Sequence, residues 1–317
     1  MNFKRIFVKQ GGITLLKQYW KGGAFFTAVC ELLLLGKGRT ALEILRLSAQ
    51  LKIKQKLEKK YRNNLVEFEK SFGSSVLSEK SNRVWVCWFQ GMENAPLLVQ
   101  KCFQSLQENL TDREIILITS ENMAEYVTFP NFILTKWKEG KITHTHMTDL
   151  LRLELLIQYG GMWVDATVFC SSKREDIPDY YFDSDLFLYQ CLKPGRNGHT
   201  HLTSSWLISA KSNNKILMAV RHLCYEYWKQ NSNMVDYFLL HDFMSIVSEY
   251  YSEEWKHIIP RDNATPHILL LRLFDPYDED MWNAIRGQTP FHKLSYKLEQ
   301  EQILFADTYY DVLINER

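Results

Sequence analysis

HTHMTDLLRLELLIQYGGMWVDATVFC, residues 144–170, reads as one helix, a two-glycine stop and one buried strand that carries a lone carboxylate. Across 147–158 the run is rich in leucine, with charges only at Asp149, Arg152 and Glu154. Leu151, Leu155 and Gln158 share one face, and Leu150, Leu153 and Ile157 widen it, which suits a helix buried on more than one side. Thr148 is the candidate N-cap, with Asp149 in the first turn where the helix dipole favours an anion. Gly160 and Gly161 then stop the helix, because glycine takes the left-handed conformation that helix ends often need. Residues 162–169 are short, apolar and β-branched, the pattern of an interior strand.

Strand alternation places Trp163, Asp165 and Thr167 on one face and Val164, Ala166 and Val168 on the other. An aspartate in such a strand is expensive to bury unless a cation or hydrogen bonds meet it. Two readings stand side by side. In one, Asp165 caps the following turn and Asp149 pairs with Arg152 three residues on, along the same helix face. In the other, Asp165 holds a metal-bound diphosphate while Asp149 and Arg152 grip a nucleotide. Ionisable groups in apolar settings point to sites, but structural ion pairs produce the same pattern.

The 317-residue chain is long enough to bury a full core as one large domain, or as one domain with an appendage. Its 46% hydrophobic and 14% aromatic content excludes a disordered protein. A formal net charge of +1 hides an asymmetry: residues 1–62 carry 14 Lys/Arg against 3 Asp/Glu, and the remainder is acidic. A basic head on an acidic body suggests an anionic surface as partner, membrane or nucleic acid. No recognised nucleic-acid motif accompanies the charge, so nucleic acid is set aside. The six cysteines are scattered without a C-x-x-C pair and read as small core residues in a reducing compartment. The histidine pairs His144/His146 and His199/His201 have no further partners at the usual zinc spacing.

Residues 1–70 read as basic helices over 3–19, 24–35 and 40–68. Aromatic and apolar anchors such as Phe7, Trp20, Phe25 and Phe26 lie beside Lys4, Arg5, Lys9, Lys17 and Lys21. That pairing suits a helix lying in the interface of an anionic membrane; a helical cap packed on the globular part explains it equally well. The run 24–35 is interrupted by Glu31 and is too short to span a bilayer, which needs about 20 apolar residues. Residues 71–82, SFGSSVLSEKSN, form a polar linker and the expected boundary, with 83–317 as the globular domain.

That domain opens with RVWVCWFQG at 83–91, a strand ending in glycine, then a helix to Leu110 and a second buried strand at 113–119. Strand, helix and strand of this size make a right-handed βαβ unit. Ligands in open α/β sheets bind beyond the carboxyl ends of the strands, where Trp88, Phe89 and Gln90 sit. Further on, 185–190 and 206–209 read as strands around a loop at 193–200 rich in Gly, Pro and Asn. An amphipathic helix follows at 215–230.

The string H-x-T-D-L-L-R, followed by L-L-I-Q-Y-G-G-M-W-V-D-A-T, resembles the signature of sugar-nucleotide glycosyltransferases with the DXD region. Within that group it looks most like the bacterial capsular polysaccharide synthesis proteins. The likeness covers about residues 83–297 and implies an α/β domain of the GT-A kind, a mixed, mostly parallel sheet flanked by helices. It further implies transfer of a hexose, with retention, from a nucleotide-diphosphate sugar (UDP above all) to a lipid-linked oligosaccharide at the inner membrane face.

Carried over by position, the resemblance makes Asp149 and Arg152 donor-nucleotide residues and Asp165 the residue of the metal, Mn²⁺ or Mg²⁺, and the diphosphate. Thr167 stands where the second aspartate of DXD would be, a departure that also admits a degenerate transferase serving as a binding or scaffold protein. Trp163 and Gln90 join the donor side. Trp88, with Trp85 as runner-up, would stack on the base. The run VDYFLLHDF at 235–243 resembles a family segment in which Asp236 and His241 recur as candidate catalytic residues, while a helix cap and a core histidine explain them nearly as well. FHKLSYK at 291–297 resembles the closing motif, with His292 completing the metal shell and Lys293 or, as the chosen candidate, Lys297 neutralising the diphosphate.

Overall fold

The computed structural model describes residues 12–73, 81–192 and 200–316. The start of the expected first helix, with Lys4, Arg5 and Lys9, therefore lies outside the described residues, as do most of the polar linker and of the 193–200 loop.

Three helices come first: α1 (Ile13–Gly22), α2 (Phe25–Leu35) and the long α3 (Arg39–Ser71). The globular part follows with β1 (Arg83–Cys87), α4 (Leu97–Asn109), β2 (Glu114–Ile118), α5 (Asn131–Lys138), α6 (His144–Tyr159), β3 (Gly161–Val164) and β4 (Val168–Cys170). It continues through β5 (Leu186–Gln190), β6 (Thr203–Ala210), α7 (Lys215–Gln230), α8 (Leu239–Tyr250), α9 (Ile268–Arg272), α10 (Glu279–Arg286) and β7 (Phe291–Lys293). The main sheet has the order β2-β1-β3-β6-β5. β1 pairs in parallel with β2 and β3, whereas β3–β6 and β6–β5 are antiparallel. The fold is thus α/β with a mixed central sheet.

Alternation along the strands builds two cores. Trp85, Trp163, Ile116 and Ile208 face α6, α7 and α8 on one side. Val84, Val86, Met162, Val164 and Leu207 face α4 and the Tyr181–Tyr189 aromatic group on the other. β1 and β3 are in register at Trp85 and Trp163, so the two indoles stand side by side beneath α6.

Three sequence expectations need correction. The helix expected to start at Thr148 starts at His144, because Thr143 takes the cap: its Oγ1 accepts from His146 N at 3.2 Å. Thr148 Oγ1 instead donates back to His144 O, and Asp149 sits in the second turn. The single strand expected over 162–169 breaks after Val164. Asp165 N donates to Trp206 O, Val168 N donates to Asp165 O, and the chain then leaves the main sheet to pair β4 with β7. Finally, the expected boundary at 71–82 does not separate two cores. Ile53, Leu57, Tyr61, Leu65 and Phe68 of α3 are buried in the same cluster as Trp85 and Trp163.

Both glycines between α6 and β3 are required. Gly160 and Gly161 have φ of 66° and 95°, and a Cβ on Gly161 would lie 2.3 Å from Arg83 O. This turn is what delivers β3 alongside β1.

Candidate active site

β3 ends at the carboxyl edge of the parallel part of the sheet, and the turn beyond it presents Asp165. Arg152 of α6 reaches over: its Nη2 lies 3.1 Å from Asp149 Oδ1 and 3.4 Å from Asp165 Oδ1. The same guanidinium sits 5.0 Å above the Trp163 ring and donates through Nη1 to Ser205 O of β6. Trp163 Nε1 donates to Asp165 Oδ1 at 3.0 Å. From the far end of the chain, Lys293 of β7 places Nζ 3.2 Å from Asp165 Oδ2 and donates to Thr167 Oγ1. Helix, strand, turn and a C-terminal strand therefore converge on one carboxylate.

Burial and charge set the state of this group. The side chains of Arg152 and Asp149 are 5% and 8% exposed, whereas Asp165 is 27% exposed, so solvent reaches the carboxylate that faces both cations. Burial pushes the Asp165 pKa up, but Lys293, Arg152 and the Trp163 N–H outweigh it and hold the group below the ordinary aspartate value. It is ionised at neutral pH.

Asp149 is fixed from behind. Trp228 Nε1, which can only donate, lies 2.9 Å from His146 Nε2; Nδ1 then carries the hydrogen and points at Asp149 Oδ2, 3.2 Å away. Trp228, His146, Asp149 and Arg152 thus form one continuous buried chain of contacts that ends on the solvent-reachable Asp165.

The profile of a family described as "Capsular polysaccharide synthesis protein" matches residues 39–313. The chain belongs to that family. The match begins with α3, in agreement with the packing of that helix into the core. Two curated relatives are fungal. The "O-glycosyltransferase braB" of Annulohypoxylon truncatum is 33% identical over 111 residues, 32% of this chain and 26% of that protein. The "O-glycosyltransferase PaGT" of Phomopsis amygdali is 22% identical over 150 residues, 43% of this chain and 36% of that protein. The chain thus spans roughly a quarter to a third of the curated relatives it matches. Among solved structures, "PaToxG Glycosyltransferase" aligns with a TM-score of 0.41 and 11% identity, over 83% of this chain and 96% of that one.

Of the residues singled out in the sequence, Asp149, Arg152, Trp163 and Asp165 come together. Trp88 lies just past β1, its ring centroid 5.4 Å from that of Tyr296, with the indole N–H unpartnered among the described residues. Gln90 is exposed in the same turn, its main-chain oxygen accepting from Asn94. Trp85, the alternative to Trp88, is a core strut whose Nε1 donates to Gly160 O at 2.9 Å. His241 Nε2 lies 3.3 Å from Oγ of Ser205, the residue whose main-chain oxygen accepts from Arg152, and Nδ1 has no partner among the described residues. Burial pushes this imidazole down to about 4, so it is neutral.

Three candidates are not brought to Asp165. His292 occupies β7 next to Lys293, and successive side chains on a strand point to opposite faces. Its ring is fully buried against Trp282, with Nε2 2.8 Å from Ser171 Oγ, and burial lowers its pKa to about 3. It is no ligand partner of Asp165. Lys297 is exposed, four residues past Lys293, and the ammonium beside the carboxylate is that of Lys293. Asp236 turns its Oδ1 to Phe238 N at 2.8 Å, capping the turn before α8, and lines a cavity with Tyr19 and Arg46.

Sequence reasoning missed His146 and Trp228. His146 carried a signal, since it stands three residues before Asp149 on the same helix face. Trp228 carried none, because only tertiary packing brings α7 to α6.

Proposed function

We propose that the protein is a glycosyltransferase that moves a hexose from a nucleotide-diphosphate sugar, UDP-linked above all, to a hydroxyl of a growing surface polysaccharide unit. One observation carries this reading: an ionised, solvent-reachable Asp165 held between Arg152 and Lys293 at the carboxyl edge of the sheet. Sugar transfer breaks the bond from the anomeric carbon to the diphosphate and forms one to the acceptor oxygen, while the acceptor hydroxyl gives up its proton to the departing diphosphate. Negative charge collects on the departing diphosphate, so preorganised cations at that point lower the barrier. Arg152, fixed from behind by Asp149, holds the nucleoside end, and Trp88 offers its ring and free N–H to the base. His241, neutral and facing Ser205, is placed for a hydrogen bond to donor or acceptor sugar rather than for accepting a proton. Both Asp149 oxygens are engaged, by His146 and by Arg152, which leaves no second carboxylate poised as a nucleophile. Retention of configuration is part of this proposal, and the family resemblance supports it.

The acceptor in this reading is lipid-linked, and the protein works at the cytoplasmic face of an anionic membrane. Support comes from α2 and its neighbours. Leu33, Leu34, Phe26 and Trp20 are 79%, 82%, 69% and 63% exposed, in a segment that also carries Lys17, Lys21 and Lys37. No described helix is long and apolar enough to cross a membrane, so the contact would be peripheral.

The test is direct. Purified full-length chain is incubated with UDP-, GDP-, CDP- and dTDP-sugars and a lipid extract, and release of nucleoside diphosphate is followed. Release with one donor, abolished by Asp165→Asn at unchanged circular dichroism, is the expected result. Binding without release from any donor would make the protein a scaffold that only holds sugar nucleotide.

A further inference from the structure

We propose that Lys293 does the work that a divalent cation would do at this site, so that the donor diphosphate is held without metal. The inference rests on the reading of the site as one for a nucleotide sugar, and adds to it the identity of the group that meets the phosphates.

A Mn²⁺ or Mg²⁺ ion beside Asp165 would need a shell of oxygen or imidazole ligands at short range. The residues present do not supply one. Thr167, where a second carboxylate would stand, has a neutral hydroxyl, and that hydroxyl already accepts from Lys293. His292 faces the other side of β7. Asp149 spends one oxygen on His146 and the other on Arg152. Among the described residues no three His, Cys, Asp or Glu side chains converge.

Charge decides the matter further. Asp165 has Lys293 at 3.2 Å and Arg152 at 3.4 Å, so two fixed positive groups already crowd the position an ion would take. A doubly charged ion placed there would meet, from each of these cations, about twice the repulsion that a monovalent one meets. A single carboxylate shared with both cannot offset it. The same arrangement suits an anion. An ammonium has three N–H donors; Asp165 and Thr167 take two, and a third is left for a phosphate oxygen.

The geometry is also rigid enough to serve. Val168 and Lys293 are paired across β4 and β7, and Leu294 N donates to Thr167 O at 2.8 Å, so the backbone at both ends of the contact is fixed. In the transfer step the bond between the anomeric carbon and the diphosphate oxygen breaks with its electron pair on that oxygen. Lys293 meets the resulting charge, Arg152 keeps Asp165 in place behind it, and the acceptor oxygen forms the new bond as its proton passes to the departing diphosphate.

The experiment is a calorimetric titration of the full chain with UDP, GDP, CDP and dTDP, first in EDTA and then in MnCl₂. The expected result is that at least one of them binds in EDTA, with an affinity within about threefold of that in manganese, a difference under 1 kcal/mol. Lys293→Met, neutral and similar in length, should weaken that nucleoside diphosphate by about tenfold or more while the matching nucleoside is affected far less, and Lys293→Arg should restore most of it. Binding seen only with manganese would overturn the inference and leave the donor site standing. A folded Lys293→Met that binds the diphosphate as well as the natural protein would overturn it too. Failure of every nucleoside diphosphate in both buffers would sink the donor-site reading itself. Should Lys293→Met fail to fold, the EDTA arm on the unaltered chain decides alone.

Discussion

Trp228 Nε1 stands 2.9 Å from His146 Nε2, and that bond settles which ring nitrogen carries the hydrogen. An indole cannot accept there, so the imidazole must, and its other edge becomes a donor to Asp149. A carboxylate that is scarcely exposed is thereby held at a fixed angle beneath Arg152.

His146→Ala should remove this support. It strands a buried indole N–H and one carboxylate oxygen and leaves a cavity, so a loss of about 2–4 kcal/mol in urea unfolding is expected, together with weaker nucleotide binding. Trp228→Phe removes the N–H together with part of a buried ring but leaves the imidazole in place, and should cost less, about 1–2 kcal/mol. Equal effects from the two would mean that the ring matters only as filling.

Acid stability should report His292 and His241. Burial lowers their pKa values to about 3 and about 4 against an ordinary 6.5. Below pH 6.5 the unfolded chain takes up protons that the folded chain refuses, so stability falls as pH drops from 6.5 toward those values. Each group contributes a slope of about 1.4 kcal/mol per pH unit within its window. Asp165 has the depressed pKa of an ion-paired carboxylate, and its contribution is present above the ordinary aspartate range and disappears only below it. Urea midpoints across this range should flatten for His292→Gln; an unchanged slope would mean that its ring is not held neutral.

Two tryptophans on neighbouring positions should behave oppositely. Trp88→Ala is expected to weaken nucleotide binding by about tenfold, because base stacking on an aromatic ring is worth about 1–3 kcal/mol, with only a modest effect on stability. Trp85→Phe breaks the bond to Gly160 O and should lower stability by about 1 kcal/mol with nucleotide affinity intact. Parallel titration and unfolding of both variants separates the roles.

The exposed leucines of α2 are expected to meet lipid. Leu33→Glu with Leu34→Glu should abolish sedimentation with phosphatidylcholine vesicles containing phosphatidylglycerol, while the melting temperature stays put, since both side chains are already outside the core. Binding that survives the double change, or that ignores phosphatidylglycerol, would remove this face as the contact.

Much of the site can be read from the chain because its first half is local. Asp149 and Arg152 are one helical turn apart, the paired glycines force the turn, and Asp165 follows β3 directly. The rest depends on distant pairing. Whether His292 or Lys293 faces Asp165 is a matter of parity in the β4–β7 register, and a one-residue slip exchanges them. Sequence reasoning chose His292 and Lys297; the antiparallel pairing delivers Lys293. Likewise the apolar stripe Ile53, Leu57, Tyr61, Leu65 is visible at helical spacing, but a stripe does not name its partner. Charge alone leaves a membrane-surface head and a packed helical cap equally open, and the packing makes α3 part of the core.

The contact between Lys293 and Thr167 closes a loop of 126 residues. A ribosome must therefore deliver nearly all of the described chain before Asp165 acquires its second positive neighbour. A product released early, even one whose main sheet had already condensed, would leave that carboxylate with Arg152 as its one cation among the two.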